Sequence, residues 1–541
     1  MKNHRFITNI LVAVVAFALT SCKDYLTELQ PGATELENFY VSGTACVQNA
    51  TGCYTPLMWE YNYTYYSEWF IGDIVSDDAL KGGQNTNDMA AVYDMENWKT
   101  NVTNALLLDY YRAQYLGIAR CNLALKYIPG VPTDDTMDQK LKDRLIGEVE
   151  YLRAFYYFRL LRVFGGVPLS LSVIDTESGW SMPRATPEQV FNQICADLED
   201  ANKKLWKKSE YEPEDLGRAT KGAAQAMLQK VRLYMASPYW AAKIASSTSK
   251  DNYEASKQWG DSVMLSGEYS LCPKYFDNFT LAGENGPESV FEIQYGEFPW
   301  SDYGGANGEG GNGYTAGTFT PVLTRSRSNR IGGGWGFNKP TYNLYYEYED
   351  GDARRDSTIL NPAKALIAKP AEEIYLGDTL LSRKYALYTE SPVKYNYHAS
   401  RGPINNKQIR YADVLLMHAE AALALGDNAA AESDLNLIRD RAGLKHFGEY
   451  SFKVNGKEIA APTLEQALRH ERRVELAMEG HRWFDIVRWG NAKAHMEAYQ
   501  ATENEDVKLH LSVFTEGVHE LFPIPAEERV LNPALEQNPG Y

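Results

Sequence analysis

Apolar positions recur at spacings of three and four residues over much of the chain, a period that predicts helices. Trp59, Tyr63, Tyr66 and Phe70 fall on one such face. Tyr111, Tyr115, Ile118 and Leu125 form a second, stopped by Pro129-Gly130. Leu141, Leu145, Val149, Leu152 and Tyr156 carry a third up to Gly165-Gly166-Val167-Pro168. Thr186-Pro187 supplies a cap and a first-turn proline for a helix reaching about Leu205, and 222–236 is Ala-rich and helical. Downstream, 408–425, 428–441 and 464–488 read as three helices. Leu425-Gly426 followed by Ala429-Ala430-Ala431 looks like the small-residue packing of tetratricopeptide (TPR) helix pairs, without the full repeat consensus. The expectation is a mostly α fold, a TPR-like helical scaffold with long irregular loops.

Those loops concentrate between about 282 and 406, where the periodicity lapses. Eleven of the 41 glycines lie between Gly304 and Gly336. Long Gly-rich loops in a compact protein are usually functional or disordered, and the interleaved aromatics favour function. Trp98, Tyr295, Trp300, Tyr303, Tyr314 and Trp335 all sit in polar, non-periodic context. Flat rings there suit stacking on the apolar face of a sugar, with Asn and Asp to accept hydroxyls. A ring covering ~40–50 Å² contributes about 1 kcal/mol, so three rings give a dissociation constant near millimolar. Gly308-Glu309-Gly310-Gly311-Asn312-Gly313 matches a dinucleotide fingerprint, yet no apolar strand precedes it and no helix follows, so the match is accidental.

The start of the chain adds a destination. Lys2 and Arg5 precede an apolar run from Phe6 to Leu19, shorter than the ~20 residues that span a bilayer. Leu19-Thr20-Ser21-Cys22 then looks like a lipoprotein cleavage box, which implies lipidation of Cys22. Two or more acyl chains anchor stably where one does not. Lys23-Asp24 resembles the signal that sends some lipoproteins to the outer face of the outer membrane. The net charge of −17 argues against a nucleic-acid partner. Cys46, Cys53, Cys121, Cys195 and Cys272 remain; Cys121 and Cys195 sit in helical patterns and read as buried, and a Cys46–Cys53 bridge is open. No zinc spacing, H-E-x-x-H or G-x-S-x-G motif occurs, so no metal, cofactor or hydrolase nucleophile is indicated. On a helix, Glu471, Glu475 and Glu479 would share one face, with Arg482–Asp485 and Asp485–Arg488 as ion pairs. That stretch reads as a structural charge network and not as a catalytic cluster.

Several segments together resemble the SusD/RagB family of outer-membrane glycan-binding lipoproteins. They are 148–158 and Phe164-Gly165-Gly166-Val167-Pro168-Leu169; 409–417 with Ala419-Glu420-Ala421; Asn436, Ile438-Arg439 and Arg441-Ala442-Gly443-Leu444; 471–488; and Phe522-Pro523-Ile524-Pro525 with the closing Asn538-Pro539-Gly540-Tyr541. The resemblance implies a signal peptide at 1–21, an N-terminal helical region at 22–240, a connecting helical segment at 241–281 and a C-terminal region at 282–541. It implies a non-enzymatic, cell-surface lipoprotein of a Gram-negative bacterium, anchored by lipid alone, that captures oligo- or polysaccharide. It also implies a partner, a SusC-like TonB-dependent outer-membrane transporter, over which the protein acts as a lid. By position it points to Trp98 with Lys81 and Asn85 nearby, and to Tyr295, Trp300, Tyr303 and Trp335, as glycan-binding residues. An anionic glycan would call for Arg325, Arg327 or Arg330. Peptide cargo, a lipid-anchored glycoside hydrolase and a TPR-like interaction scaffold are the competing readings.

Overall fold

The computed structural model describes residues 39–60, 70–174, 181–297, 317–327, 333–362, 379–389, 392–503, 505–508 and 511–541. Cys22, Trp300, Tyr303, Tyr314, Arg330, the 308–313 glycines, and Tyr63 and Tyr66 of the Trp59–Phe70 face lie outside them.

Helices dominate: α1 (Gly43–Gly52), α2 (Ala105–Tyr127), α3 (Gln139–Phe164), α4 (Pro187–Lys204), α5 (Lys221–Ala236) and α6 (Ser249–Met264) form the first block. Each from α2 to α6 packs on the next, and the row continues through α8 (Tyr411–Ala424) and α9 (Asn428–Ala442). This serial packing is consistent with a TPR-like scaffold. The ends follow local chemistry. Thr186 accepts from Gln189 N and Gln189 reaches back to Thr186 N, a reciprocal cap. Gly165, at φ +75°, ends α3 in a conformation that costs glycine little. Cys121 and Cys195 are buried in helices as expected, and Cys46 and Cys53 are free thiols like the other described cysteines. Among the described residues no helix is long and apolar enough to cross a membrane.

Four two-stranded ribbons were not anticipated: β1 (Ala79–Gly82) with β3 (Phe337–Pro340), β2 (Ser289–Ile293) with β6 (Asn406–Arg410), β4 (Ile359–Leu360) with β5 (Leu381–Ser382), and the hairpin β7 (Phe452–Val454) with β8 (Lys457–Ile459). All are antiparallel. The expected helix from 408 therefore starts at Tyr411, because Gln408–Arg410 pairs with β2. The expected 464–488 helix is two, α10 (Leu464–Leu476) and α11 (Arg482–Arg488). Met478 and Gly480 take positive φ between them. Between β3 and α8 lies the short α7 (Tyr342–Glu347).

Around α10 the interior is ionic. Glu475 accepts from Arg354 at 3.0 Å, Arg410 at 3.0 Å and Arg441 at 2.6 Å. Glu471 holds Arg354 at 2.5 Å and Arg439 at 2.8 Å. Arg473 reaches Asp78 (2.8 Å), Asp77 (2.9 Å) and Glu347 (3.0 Å). Arg472 joins Asp413 to Asp485, and Arg410 also pairs with Glu288. Glu479 is off the helix but still meets Arg410 and Lys384. Burial pushes the Glu479 carboxyl up, and these two cations more than offset it, holding it down at about 2. Arg488 pairs with Asp485 as expected, whereas Arg482 turns to Asp77. The charge network anticipated at 471–485 is thus structural, and wider than its own helix.

Removing one partner of such a set leaves buried charges unpaired, which costs about 3–5 kcal/mol. Glu475→Ala should lower stability by that amount in urea denaturation, while Glu458→Ala on the exposed β8 should change it by less than ~0.5 kcal/mol.

Candidate functional site

The β1–β3 ribbon joins sequence-distant candidates. Gly82 pairs with Phe337 and Gly83 N donates to Gly336 O at 2.8 Å, so the loop after β1 lies beside the segment carrying Trp335. A Cβ on Gly82 would stand 2.1 Å from Gly336 O, and one on Gly83 2.5 Å from the Phe337 ring. Both glycines have positive φ, so only glycine fits this close crossing.

In the 83–88 loop, Asn85 Oδ1 accepts from the amides of Asn87 and Asp88, and Asp88 Oδ2 from Gln84 N. Lys81 is fully buried beneath it and donates to the carbonyls of Gly82, Asn85 and Asp88 at 2.9, 3.0 and 2.5 Å. Burial, opposed by Glu96 and Asp88, draws its ammonium down to about 8. The expected glycan-binding role of Lys81 is therefore corrected: it staples the loop from inside. Gln84, Asn85 and Asn87 remain on the exposed side.

Trp335 is held by its backbone. Trp335 N donates to Val322 O at 2.8 Å, and the flanking Gly334 and Gly336 donate to Ser326 O and Arg325 O. Its half-buried ring lies near-parallel to Phe319, centroids 6.4 Å apart. Phe319 lies under the Arg401 guanidinium at 3.6 Å. Below, buried Glu60 accepts from Phe319 N, Thr320 Oγ1, Thr318 Oγ1 and Tyr295 OH. Glu60 carried no signal in the sequence.

Tyr295 is accordingly a buried strut, its hydroxyl spent on Glu60 and its amide on Asn405 Oδ1 at 2.7 Å. Trp98 is also corrected. Only 7% exposed, at φ +52°, its ring packs edge-on to Phe514 at 5.3 Å and stacks near His519 at 6.4 Å. Neither presents a face to a ligand. Arg325 is buried with Nε on Ala386 O, so it is no solvated charge; Arg327 Nη1 donates to Trp335 O. The Gly83–Gly336 hydrogen bond brings together two segments, one with exposed Gln84, Asn85 and Asn87 and the other with half-buried Trp335.

This arrangement is a ring and a set of amides on a rigid ribbon, and it suits hydrogen bonding and stacking. The 83–88 loop holds one acid, Asp88, whose Oδ2 accepts from Gln84 N. Among the described residues no group of three or more His, Cys, Asp or Glu is placed to hold a metal ion. Two cavities, of about 310 Å³ beside Tyr253, Glu420 and Trp489 and about 260 Å³ beside Tyr54, Met58 and Arg218, lie away from the ribbon.

The helical scaffold with surface loops is the class of architecture seen in solved SusD-like structures. The chain matches the SusD family over residues 369–541 and a family described as starch-binding associating with outer membrane over 18–233. It is 25% identical to the SusD-like protein P38 of Formosa agariphila, across 100% of both chains. It is similar to a laminarin-binding SusD-like protein (27% identity, TM-score 0.76, 93% of this chain and 100% of that one). Surface glycan-binding protein A from Bacteroides fluxus matches at 25% identity and TM-score 0.74, over 93% and 100% of the two chains. The chain belongs to the SusD/RagB family.

Two predictions follow from the ring and the ribbon. Trp98→Ala should lower stability by about 3–5 kcal/mol, as emptied aromatic sites do, read as a shift in thermal midpoint. Asp73 lies under the ribbon, accepting from Gly480 N at 2.8 Å and Asn338 Nδ2 at 3.3 Å, while Asn338 Oδ1 is buried without a partner. Burial and the nearby Asp78 raise its carboxyl to about 8. The folded state thus binds a proton that the unfolded state, titrating near ~3.9, has released. That stabilisation is complete below the unfolded value and is lost as pH rises through about 8. Asp73→Asn should abolish Asp73's share of the fall in thermal midpoint between pH ~4 and ~8.

Proposed function

We propose that this protein is a cell-surface glycan-binding lipoprotein that captures oligo- or polysaccharide at the Trp335 end of the β1–β3 ribbon. The observation that carries the reading is half-exposed Trp335 on a segment whose backbone meets, through Gly83 N and Gly336 O, the loop that exposes Gln84, Asn85 and Asn87. A ring covers the apolar face of a pyranose while amides satisfy its hydroxyls, and neither needs a charged ligand. Trp300 and Tyr303 belong to the same proposal as candidate rings. The similarity to a protein named for laminarin binding supports the choice of a glycan over a peptide.

Lipidation at Cys22 tethers the chain to the outer membrane, facing outward. There it serves as the lid of a SusC-like TonB-dependent transporter and passes glycan to it. A near-millimolar site suffices in that setting, since tethering gives an effective concentration in the same millimolar range. The protein performs no chemistry on its cargo.

Affinity electrophoresis of the full chain in detergent, through gels containing laminarin, amylopectin or arabinoxylan, tests the capture step. One polysaccharide should retard wild type. Trp335→Ala should weaken that retardation about five-fold with an unchanged thermal midpoint, the loss expected for one ring's contact. Absence of retardation in every gel, with oligopeptides bound instead, would transfer the role to peptide uptake.

A further inference from the structure

The ribbon has a second end. There Thr341 N donates to Asp78 O at 2.9 Å and Thr341 Oγ1 to Asp77 O at 2.7 Å, and the chain turns directly into α7. The inner face of this short helix is clamped: Leu344 is buried, Glu347 pairs with Arg473 at 3.0 Å and His470 at 3.1 Å, and the following Tyr348 OH donates to Val474 O. Tyr346 is exposed, while Tyr342 and Tyr345 are partly buried and pack against the core. Spaced as i, i+3 and i+4, the three have the pattern of a core-facing stripe, and so the exposure of Tyr346 is not legible in the sequence.

The three rings touch. Tyr342 and Tyr346 lie near-parallel, 5.9 Å apart at 23°; Tyr345 stands edge-on to Tyr346 at 5.4 Å and carries Arg355 on its face at 4.9 Å. Tyr346 is 60% exposed. The hydroxyls of Tyr345 and Tyr346 make no hydrogen bond among the described residues, while Tyr342 OH meets Thr379 Oγ1 at 3.0 Å. Asn343 is spent on the protein: its Nδ2 donates to Asn455 Oδ1 and Thr502 Oγ1, and its Oδ1 accepts from Arg473.

We propose that Tyr346, supported by Tyr342 and Tyr345, is a second carbohydrate-binding platform, which grips a long neutral polysaccharide already held at the Trp335 end. The ligand class follows from the chemistry. A ring with a phenol hydroxyl that makes no hydrogen bond among the described residues can cover the apolar face of a sugar and still bond its hydroxyls. Tyr346 rests on Tyr342 and Tyr345, which are themselves held by Thr379 and Arg355, so less ordering cost opposes a weak contact. Tyr342 follows Trp335 by seven positions and Tyr346 by four more on the helix, so at ~3.3 Å and ~1.5 Å per residue the two backbones lie no more than about 29 Å apart. One polymer reaching both converts the second contact into an intramolecular one. The inference rests on the reading that the cargo is a glycan.

The same laminarin, amylopectin and arabinoxylan gels test it, with the full-length Tyr346→Ala, Tyr346→Phe, Trp335→Ala and Trp335→Ala/Tyr346→Ala chains, each checked by thermal midpoint. In the gel that retards wild type, Tyr346→Ala should bind about five-fold more weakly, the loss expected for one ring's contact. Tyr346→Phe should recover most of that loss, and the double variant should lose the residual retardation of Trp335→Ala. Tyr346→Ala running as wild type while Trp335→Ala is weakened would overturn the second platform and leave the first site standing. The platform would equally be overturned if Tyr346→Ala kept full retardation but lost co-purification with an outer-membrane barrel, which would make this face a protein contact. No retardation of wild type in any gel would overturn both readings together.

Discussion

The structure depends on a buried lattice of ion pairs centred on α10. Its helix contributes Glu471, Arg472, Arg473 and Glu475, and partners arrive from the β1 approach (Asp77, Asp78), α7 (Glu347), α8 (Asp413) and α9 (Arg439, Arg441). Charges taken out of water this far are tolerable only when nearly every one is matched. Matching demands that segments far apart in sequence arrive together in fixed positions. The lattice therefore supplies specificity of assembly more than net stability, and the apolar helix row supplies the burial.

Both ends of the β1–β3 ribbon inherit their placement from this arrangement. A lone pair of four-residue strands is marginal in water. Here Asp77 and Asp78, at one end, are gripped by Arg473 and Arg482, and Asn338 in β3 meets Asp73 below. At the other end Lys81 fastens the loop through backbone carbonyls. The surface amides beside Trp335 are thus positioned by groups that never meet solvent.

Much of the helical scaffold was legible, because amphipathic stripes, the Thr186 cap and the Gly165 stop are local signals. The ribbons were not. Every residue of β1 and β3 is buried, so neither shows a strand's alternation, and the apparent helix start at 408–410 follows Lys407 and ends in Arg410, both turned inward, to Glu292 and Glu288. For the site, local polarity misled. Trp98 lies between Asn97 and Lys99 yet is covered by Phe514, and Lys81 precedes a polar loop yet sits inside it. Such burial is decided by chain segments hundreds of residues away, which no local pattern reports. Trp335 and Asn85 were legible as polar-context loop residues, but not their adjacency.

The division of the ribbon into a gripped end and a presented end bears on how such a protein diversifies. Residues 84–87 make hydrogen bonds through their backbone and through Asn85 and Asp88, while Gln84 and Asn87 side chains are exposed. Those outward positions are open to mutational drift at small folding cost, since surface changes away from special features are usually within ~0.5 kcal/mol. Exchanging a few of these side chains would change the chemistry presented at the tip of the ribbon and leave the ionic interior untouched.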